Sequence, residues 1–259
     1  MKYEKKVIIY IDLLGFKDFI YYTIKTSINH GQKIQSAYGF FEFLKDLLKI
    51  EKSPTPNKQV THFSDLIVIS FPADEFESFY GELFDLLIIC SNCITHGFLV
   101  RGTVIYGEIV HTSDIIFGPG LVEAYETEKS RVITPRITIE KTIVQDLLES
   151  KKSVLDIFDI VSVDEDGEYY LDYFVKAKNQ LDNPAQFLLL TRKLVEIARR
   201  ISTNPSLKQK CHWINKRIIE MFNSIFEKFK IEDENHIIDY DFVEFMLDDL
   251  DESRIYTKL

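Results

Sequence analysis

The stretch KKVIIYIDLLGFKDF, residues 5 to 19, places an acidic residue at the end of an apolar strand. Val7 to Ile11 is an unbroken and mostly β-branched apolar run, which predicts a central strand covered on both faces. Asp12 follows directly, and Gly15 then breaks the strand before a predicted helix. Burying a lone carboxylate in a sheet is costly, so the stretch predicts a partner for Asp12.

Composition narrows the class of protein. The 259 residues are 46% hydrophobic and 28% charged, which suits one domain with an addition or two small domains. The formal net charge of -10 and the pI near 5.2 argue against general nucleic-acid binding. Neither a signal peptide nor an apolar run of about 20 residues is recognisable. We therefore expect a cytoplasmic protein that binds neither nucleic acid nor a membrane.

The order of predicted elements indicates a ferredoxin-like sheet. Residues 59 to 71, QVTHFSDLIVISF, predict two strands joined by a tight turn at Ser64 and Asp65. The other predicted elements are the strand 7–11, a helix after Gly15, helices 36–48 and 76–95, the strand 98–110, the helix 118–130, the strand 136–139 and the helix 140–150. This is an α+β fold of the ferredoxin-like βαββαβ type, which we assign to residues 1–155.

A short hairpin followed by a mainly helical extension is predicted for residues 156–259. VSVDEDGEYYLDYF, residues 161 to 174, indicates a hairpin that turns at Asp166 and Gly167. Apolar side chains then recur every three or four residues over 207–229, which is typical of a helix with one buried face. We expect this helix to pack on the first domain or to brace a dimer, because its apolar stripe is too long to stay exposed.

Asp12 and Asp65 are candidate metal ligands. In a βαββαβ sheet the first strand lies beside the hairpin of the second and third, so both aspartates are expected at one edge. Two neighbouring carboxylates repel each other, and a divalent cation removes that repulsion. Mg²⁺ commonly takes one or two carboxylates together with substrate phosphates. A helix cap at Asp12 and ordinary turn chemistry at Asp65 are the structural alternatives.

Other candidate residues surround these carboxylates. A helix that begins after Gly15 offers free backbone N–H groups to a triphosphate, so Leu14, Gly15 and Phe16 are assigned to substrate binding. Thr61 and Phe63 alternate with Asp65 on one strand face and are candidates for a base pocket. For Phe63 taken alone, core packing is the expected role.

Several segments resemble the class III nucleotidyl cyclases. IDLLGFKDF (11–19) is similar to the first metal-binding segment of that family, and HFSDLIVIS (62–70) resembles its second, hairpin-borne aspartate. LVRGTVIYGEI (99–109) and IFGPGLVEAYETE (116–128) are similar to the strand and helix that complete the active site across a dimer. The RG pair, the FGPGLVEAYETE helix, PRI (135–137) and EYYLDYF (168–174) most resemble the pyrimidine cyclases of bacterial Pycsar anti-phage systems.

The resemblance implies an enzyme that converts a nucleoside triphosphate into its 3',5'-cyclic monophosphate and pyrophosphate. It implies a head-to-tail homodimer with two Mg²⁺ or Mn²⁺ ions per active site, held by Asp12, Asp65 and the backbone carbonyl of Leu13. UTP is the expected substrate and CTP the alternative. The cyclic UMP or cyclic CMP is expected to activate a separate effector during phage infection.

The chain departs from the purine cyclases at three positions. The helix residues that contact ribose and phosphate in purine cyclases, an asparagine and an arginine, match Val122 and Glu126 here, and the acidic adenine-reading position matches Ile115. These differences disfavour an adenylate cyclase. They also leave open a catalytically inactive, cyclase-like scaffold that binds nucleotide. A product that links two nucleotides, as diguanylate cyclases make, is disfavoured because no GGDEF hairpin occurs.

The sequence leaves open which residue supplies positive charge to the transition state. Arg101, Arg131 and Arg136 are the candidates. Arg136 is slightly preferred, because it starts a strand next to the core. A surface salt bridge is an equally good interpretation of that arginine.

Overall fold

The predicted first strand is present and extends beyond the apolar run. The computed structural model describes residues 2–25, 30–48, 55, 57–150, 157–201 and 205–226. Within them the first strand, β1, spans Glu4–Leu14 and so includes Asp12. Gly15 has a left-handed φ of 84°, and the first helix begins at Phe16. Glycine adopts this conformation without strain, which explains why the strand ends there.

The element order of the predicted α+β fold is confirmed. The strands are β1 (Glu4–Leu14), β2 (Gln59–Phe63), β3 (Leu66–Pro72), β4 (Leu99–His111), β5 (Ile116–Phe117), β6 (Ile137–Ile139), β7 (Val161–Val163) and β8 (Tyr169–Leu171). The helices are α1 (Phe16–Lys25), α2 (His30–Leu47), α3 (Phe76–Thr95), α4 (Pro119–Arg131), α5 (Lys141–Glu149), α6 (Pro184–Ile201) and α7 (Pro205–Ile225). None of the helices among the described residues is long and apolar enough to cross a membrane.

Strands β1 to β8 belong to one sheet. Its order is β2-β3-β1-β4-β6-β8-β7, and β5 pairs with β4 at the side. The first four strands have the antiparallel 2-3-1-4 order of a ferredoxin-like sheet, whereas β6 runs parallel to β4. The predicted hairpin at 161–174 is present as β7 and β8, and it extends the same sheet beyond β6. The hairpin is therefore an integral part of the sheet.

The two faces of the sheet are covered unequally. Ile9 and Ile11 of β1 point into a large core that also contains side chains of α2, α3, α6 and α7. Ile8 and Tyr10 point to the other face, where a much smaller apolar cluster packs under α4. This alternation follows from the period of two along a strand. The second face, called the α4 face below, carries the candidate site.

The predicted amphipathic helix of the extension is confirmed as α7. Trp213, Ile214, Ile218 and Phe222 are buried in the same core as Val7 of β1. Its predicted last residues, 227–229, and the predicted domain boundary at residue 155 lie outside the described residues. The division into 1–155 and 156–259 stays a prediction.

Close contact between α4 and β4 depends on two glycines. A Cβ at Gly107 would lie 2.6 Å from the Gly120 Cα and 2.9 Å from the Ile8 Cδ1. We expect Gly107→Ala to destabilise the protein by about 1–3 kcal/mol, because the helix must move off the strand. Gly39→Ala is the matched control, since no atom lies within 4 Å of that added Cβ in α2. Thermal unfolding checks both variants, and an unchanged Tm for Gly107→Ala would contradict this packing.

Candidate active site

Strand register brings the two candidate aspartates to one edge of the sheet. Asp12 is the last residue of β1 to pair with β3, opposite Leu66. The next residue continues the ladder, because the Leu13 N–H donates to the Asp65 carbonyl at 2.9 Å. The β2–β3 turn falls at Ser64 and Asp65, as predicted. Backbone hydrogen bonding therefore holds residue 65 beside residues 12 and 13.

The Asp12 carboxylate lies on the α4 face, half-buried and close to other charges. Burial raises its pKa, the Arg101 guanidinium lowers it, and the Asp65 charge raises it again. The net effect is a raised pKa, so the protein alone stabilises the charged form of Asp12 poorly. Such an arrangement is more typical of a ligand site than of a helix cap.

Arg101 connects the strand edge to α4. It stands opposite Asp12 in the β1–β4 register, and its Nη2 lies 3.1 Å from Asp12 Oδ2. Its Nε forms an ion pair with Glu128, a buried residue of α4. Arg101 thus holds one carboxylate on each side. Its position makes it the better supported of the two predicted catalytic arginines.

Glu128 and Tyr10 belong to the same cluster and were missed by sequence reasoning. Burial raises the pKa of Glu128, and the Asp12 charge adds to this effect while Arg101 opposes it. Burial and the Glu128 and Asp12 charges raise the pKa of Tyr10 to about 12, so its phenol stays protonated near neutral pH. Glu123 and Glu126 of α4 are exposed, and the sequence alone does not distinguish Glu128 from them.

Arg136 lies in a separate ion-pair network. Its buried guanidinium pairs with Asp164 and Asp166 of the β7–β8 turn. Trp213 of α7 donates its indole N–H to Asp164 at 2.6 Å. These contacts support a role in fixing the hairpin and α7. Catalysis by Arg136 stays a prediction, which its contacts favour less than catalysis by Arg101.

Residues 13–16 of the strand-to-helix turn carry no polar side chain, so they can offer a phosphate only their backbone groups. Leu13 and Phe16 are buried, and the Phe16 ring packs against Phe41 and Phe98. Leu14 pairs with Leu99 in the last register position of β1 and β4. The predicted roles of Leu13, Leu14, Gly15 and Phe16 are therefore limited to main-chain carbonyl and N–H groups.

Thr61 and Phe63 lie on the α4 face near the other candidate residues. Phe63 has 76% of its surface exposed, so core packing, the alternative expected for it, is wrong. The Thr61 hydroxyl is hydrogen-bonded to His111 Nε2 at 2.9 Å, and His111 Nδ1 bonds the Ser70 hydroxyl at 2.8 Å. Membership of a base pocket stays a prediction for both residues.

The donor set at this edge fits a hard divalent cation. Two carboxylates and a main-chain carbonyl are the oxygen ligands that Mg²⁺ and Mn²⁺ prefer. Burial, and to a smaller extent the Asp65 charge, raises the pKa of Asp12, and a bound cation would offset both effects. Across the described part of the chain, no group of three or more His, Cys, Asp or Glu side chains is placed to hold a metal. Further ligands would come from substrate phosphates and water, which is common for Mg²⁺.

Comparisons with known proteins give structural likeness only. No family model matches the chain, and no curated protein matches it. Adenylyl cyclase CyaB from P. aeruginosa has a TM-score of 0.45 and 10% identity, over 66% of this chain and 94% of that one. A bacterial light-regulated adenylyl cyclase has a TM-score of 0.42 and 16% identity, over 75% of this chain and 100% of that one.

A further likeness is to a class III adenylyl cyclase-like ATP-binding protein from Pseudomonas aeruginosa. Its TM-score is 0.43 and its identity 13%, over 77% of this chain and 44% of that one. Likenesses at this level establish no function for this chain.

His111 makes folding sensitive to mildly acidic pH. Burial, and secondly the Lys6 charge, lower the pKa of His111 from 6.5 to about 4. The unfolded imidazole binds a proton well above the pH at which the folded one does, so stability falls as pH drops from 6.5 to about 4. We expect His111→Gln to remove this part of the pH dependence of Tm. The exposed His96→Gln serves as control, and parallel curves for wild type and His111→Gln would contradict the expectation.

Proposed function

We propose that this chain is a nucleotidyl cyclase that forms a 3',5'-cyclic monophosphate and pyrophosphate from a nucleoside triphosphate. The observation that carries the proposal is the Leu13–Asp65 backbone hydrogen bond, which holds two distant aspartates at one sheet edge. The Arg101 guanidinium beside Asp12 adds support, because phosphoryl transfer needs positive charge near the phosphate.

Asp12, Asp65 and the Leu13 carbonyl are the groups proposed to hold two Mg²⁺ or Mn²⁺ ions. When bound, the ions would lower the pKa of the ribose 3'-hydroxyl and neutralise the triphosphate. In the reaction the 3'-hydroxyl loses its proton to solvent water, its oxygen forms a bond to the α-phosphorus, and the bond between the α-phosphorus and the bridging oxygen of the leaving pyrophosphate breaks. Arg101 orients the Asp12 carboxylate, and Glu128 holds the guanidinium from the other side.

Backbone N–H groups of the strand-to-helix turn are proposed to face the triphosphate. Gly15 allows α1 to start directly after Asp12, Leu13 and Leu14. The first N–H groups of a helix have no partner within the helix, and they favour anions. This turn therefore places phosphate-binding groups next to the proposed metal ligands.

A pyrimidine nucleotide is the proposed substrate, with UTP favoured and CTP as the alternative. The positions that match purine-specific residues are Ile115, Val122 and Glu126, and all three side chains are exposed. Ile115 and Val122 offer no hydrogen bond to a purine, and Glu126 would repel a phosphate. Phe63 supplies an exposed aromatic face close to the site.

A head-to-tail homodimer is proposed because the α4 face and its edges expose apolar side chains. The exposed members are Phe63, Ile115, Phe117, Val122 and Tyr125. A surface of this kind commonly marks a protein interface. By this proposal, cyclic UMP or cyclic CMP leaves the dimer and activates a separate effector during phage infection.

The alternative function is a cyclase-like scaffold that binds nucleotide without turnover. Two observations favour it. Arg101 already holds Asp12 and Glu128 within the chain, and Glu126 stands where purine cyclases carry an arginine. Nucleotide binding with no cyclic product would support this function.

The deciding assay incubates the full chain separately with ATP, GTP, UTP and CTP in the presence of Mn²⁺. We expect cyclic UMP as the main product. Asp12→Asn and Asp65→Asn should each lower kcat by at least about 100-fold, because each removes a charge proposed to hold the ions.

Asp74→Asn, at an exposed position after β3, is the matched control and should keep wild-type activity. Absence of cyclic product from all four nucleotides would overturn the enzyme proposal. A purine product would overturn only the pyrimidine assignment. Full activity of folded Asp65→Asn would overturn the proposed metal site.

A further inference from the structure

The extension helix α7 is fixed next to the sheet edge by contacts to the β7–β8 turn. The Trp213 indole donates to Asp164, and Lys216 forms an ion pair with Glu165. Asp164 also pairs with Arg136, whose carbonyl accepts a hydrogen bond from Gly102, the residue after Arg101. These contacts connect α7 to the part of β4 that carries Arg101.

Lys210 lies one helical turn before Trp213, close to the charges of the candidate site. Burial and the Arg101 charge lower the pKa of Lys210, and the charges of Asp12 and Glu128 oppose this shift. The effect is mutual, because the Lys210 charge lowers the pKa of both carboxyls. A residue about 200 positions from Asp12 in sequence therefore takes part in the electrostatics of that site.

The Lys210 ammonium has no direct partner among the described residues. Neither an ion pair nor a hydrogen bond of its side chain occurs there, although the residue is half-buried. Arg101, in contrast, is already paired with Asp12 and Glu128. Of these two cations, Lys210 is the one that has no carboxylate partner among the described residues. A partly desolvated, unpaired ammonium is costly to maintain, and an anionic ligand would offset the cost.

We propose that Lys210 binds the triphosphate of the substrate, so that α7 completes the phosphate side of the active site. This inference rests on the proposed cyclase function, and it assigns a direct role to the extension. Lys210 supplies the unpaired cation that Arg101 does not. Its flexible stem lets the ammonium follow the phosphate as it moves from substrate to leaving group.

The test measures binding of inorganic tripolyphosphate to the full chain by calorimetry in the presence of Mg²⁺. We expect Lys210→Gln to weaken binding about tenfold or more, because it removes a charge-assisted contact. Lys210→Arg should recover most of the affinity. Lys208→Gln, an exposed lysine of the same helix, is the control and should bind as wild type does.

Kinetics with the best nucleotide separate binding from a structural effect. Lys210→Gln should raise KM about tenfold with a smaller change in kcat, and its Tm should stay near that of Lys208→Gln. Equal tripolyphosphate affinity and equal KM in Lys210→Gln and Lys208→Gln would overturn the proposal.

A labelling experiment on the wild-type chain covers the case in which Lys210→Gln does not fold. Tripolyphosphate should slow acylation of Lys210 and leave the acylation of Lys208 unchanged. Equal protection of both lysines would overturn the proposal. If wild type binds tripolyphosphate through Lys210 and yet cyclises no nucleotide, the cyclase proposal fails and the anion site stands.

Discussion

The arrangement of the site depends on the hydrogen-bonded register between β1 and the β2–β3 hairpin. Asp12 pairs opposite Leu66, and the Leu13 N–H then reaches the Asp65 carbonyl at 2.9 Å. A shift of this register by one residue would turn Asp12 into the large core and Ile11 onto the α4 face. The register is well determined, because Ile9 and Ile11 are almost fully buried. Core packing therefore fixes the positions of the charged groups at the strand end.

Ion pairs of Arg101 connect the sheet edge at Asp12 to helix α4. Asp12 and Glu128 are both held by Arg101, and burial raises the pKa of each carboxyl. Such a cluster reduces stability relative to an apolar alternative of similar volume, and function is the usual reason for its presence. In our proposal, metal ions and a triphosphate complete the charge balance, with Lys210 facing the phosphates. The C-terminal extension then belongs to the active site as well as to the core.

Much of this arrangement can be predicted from sequence, because local patterns carry it. The apolar run before Asp12, the turn at Ser64 and Asp65, and the helical period of α7 each identify an element. A ferredoxin-like topology then places the two aspartates together without any knowledge of side-chain contacts. These predictions depend on periodicity and on connection order, which one sequence contains.

Contacts between distant segments account for what sequence reasoning did not find. Arg136 was slightly preferred as the catalytic cation, but the β7–β8 turn brings Asp164 and Asp166 to it. Burial alone separates Glu128 from exposed Glu126. Lys210 interacts electrostatically with Asp12 and Glu128 because α7 packs against the β7–β8 hairpin. The environments of Arg136 and Lys210 depend on how the extension docks, and the burial of Glu128 depends on how α4 packs against β4; no local pattern specifies either.

Anomalous scattering from crystals grown with Mn²⁺ and a 3'-deoxynucleoside triphosphate tests the shared metal site most directly. The 3'-deoxy compound lacks the attacking hydroxyl, so the substrate complex is preserved. We predict a manganese peak within about 2.5 Å of an oxygen of both Asp12 and Asp65. A complex with ordered nucleotide and no manganese at this edge, or with manganese on one aspartate while the other points away, would contradict the proposed site.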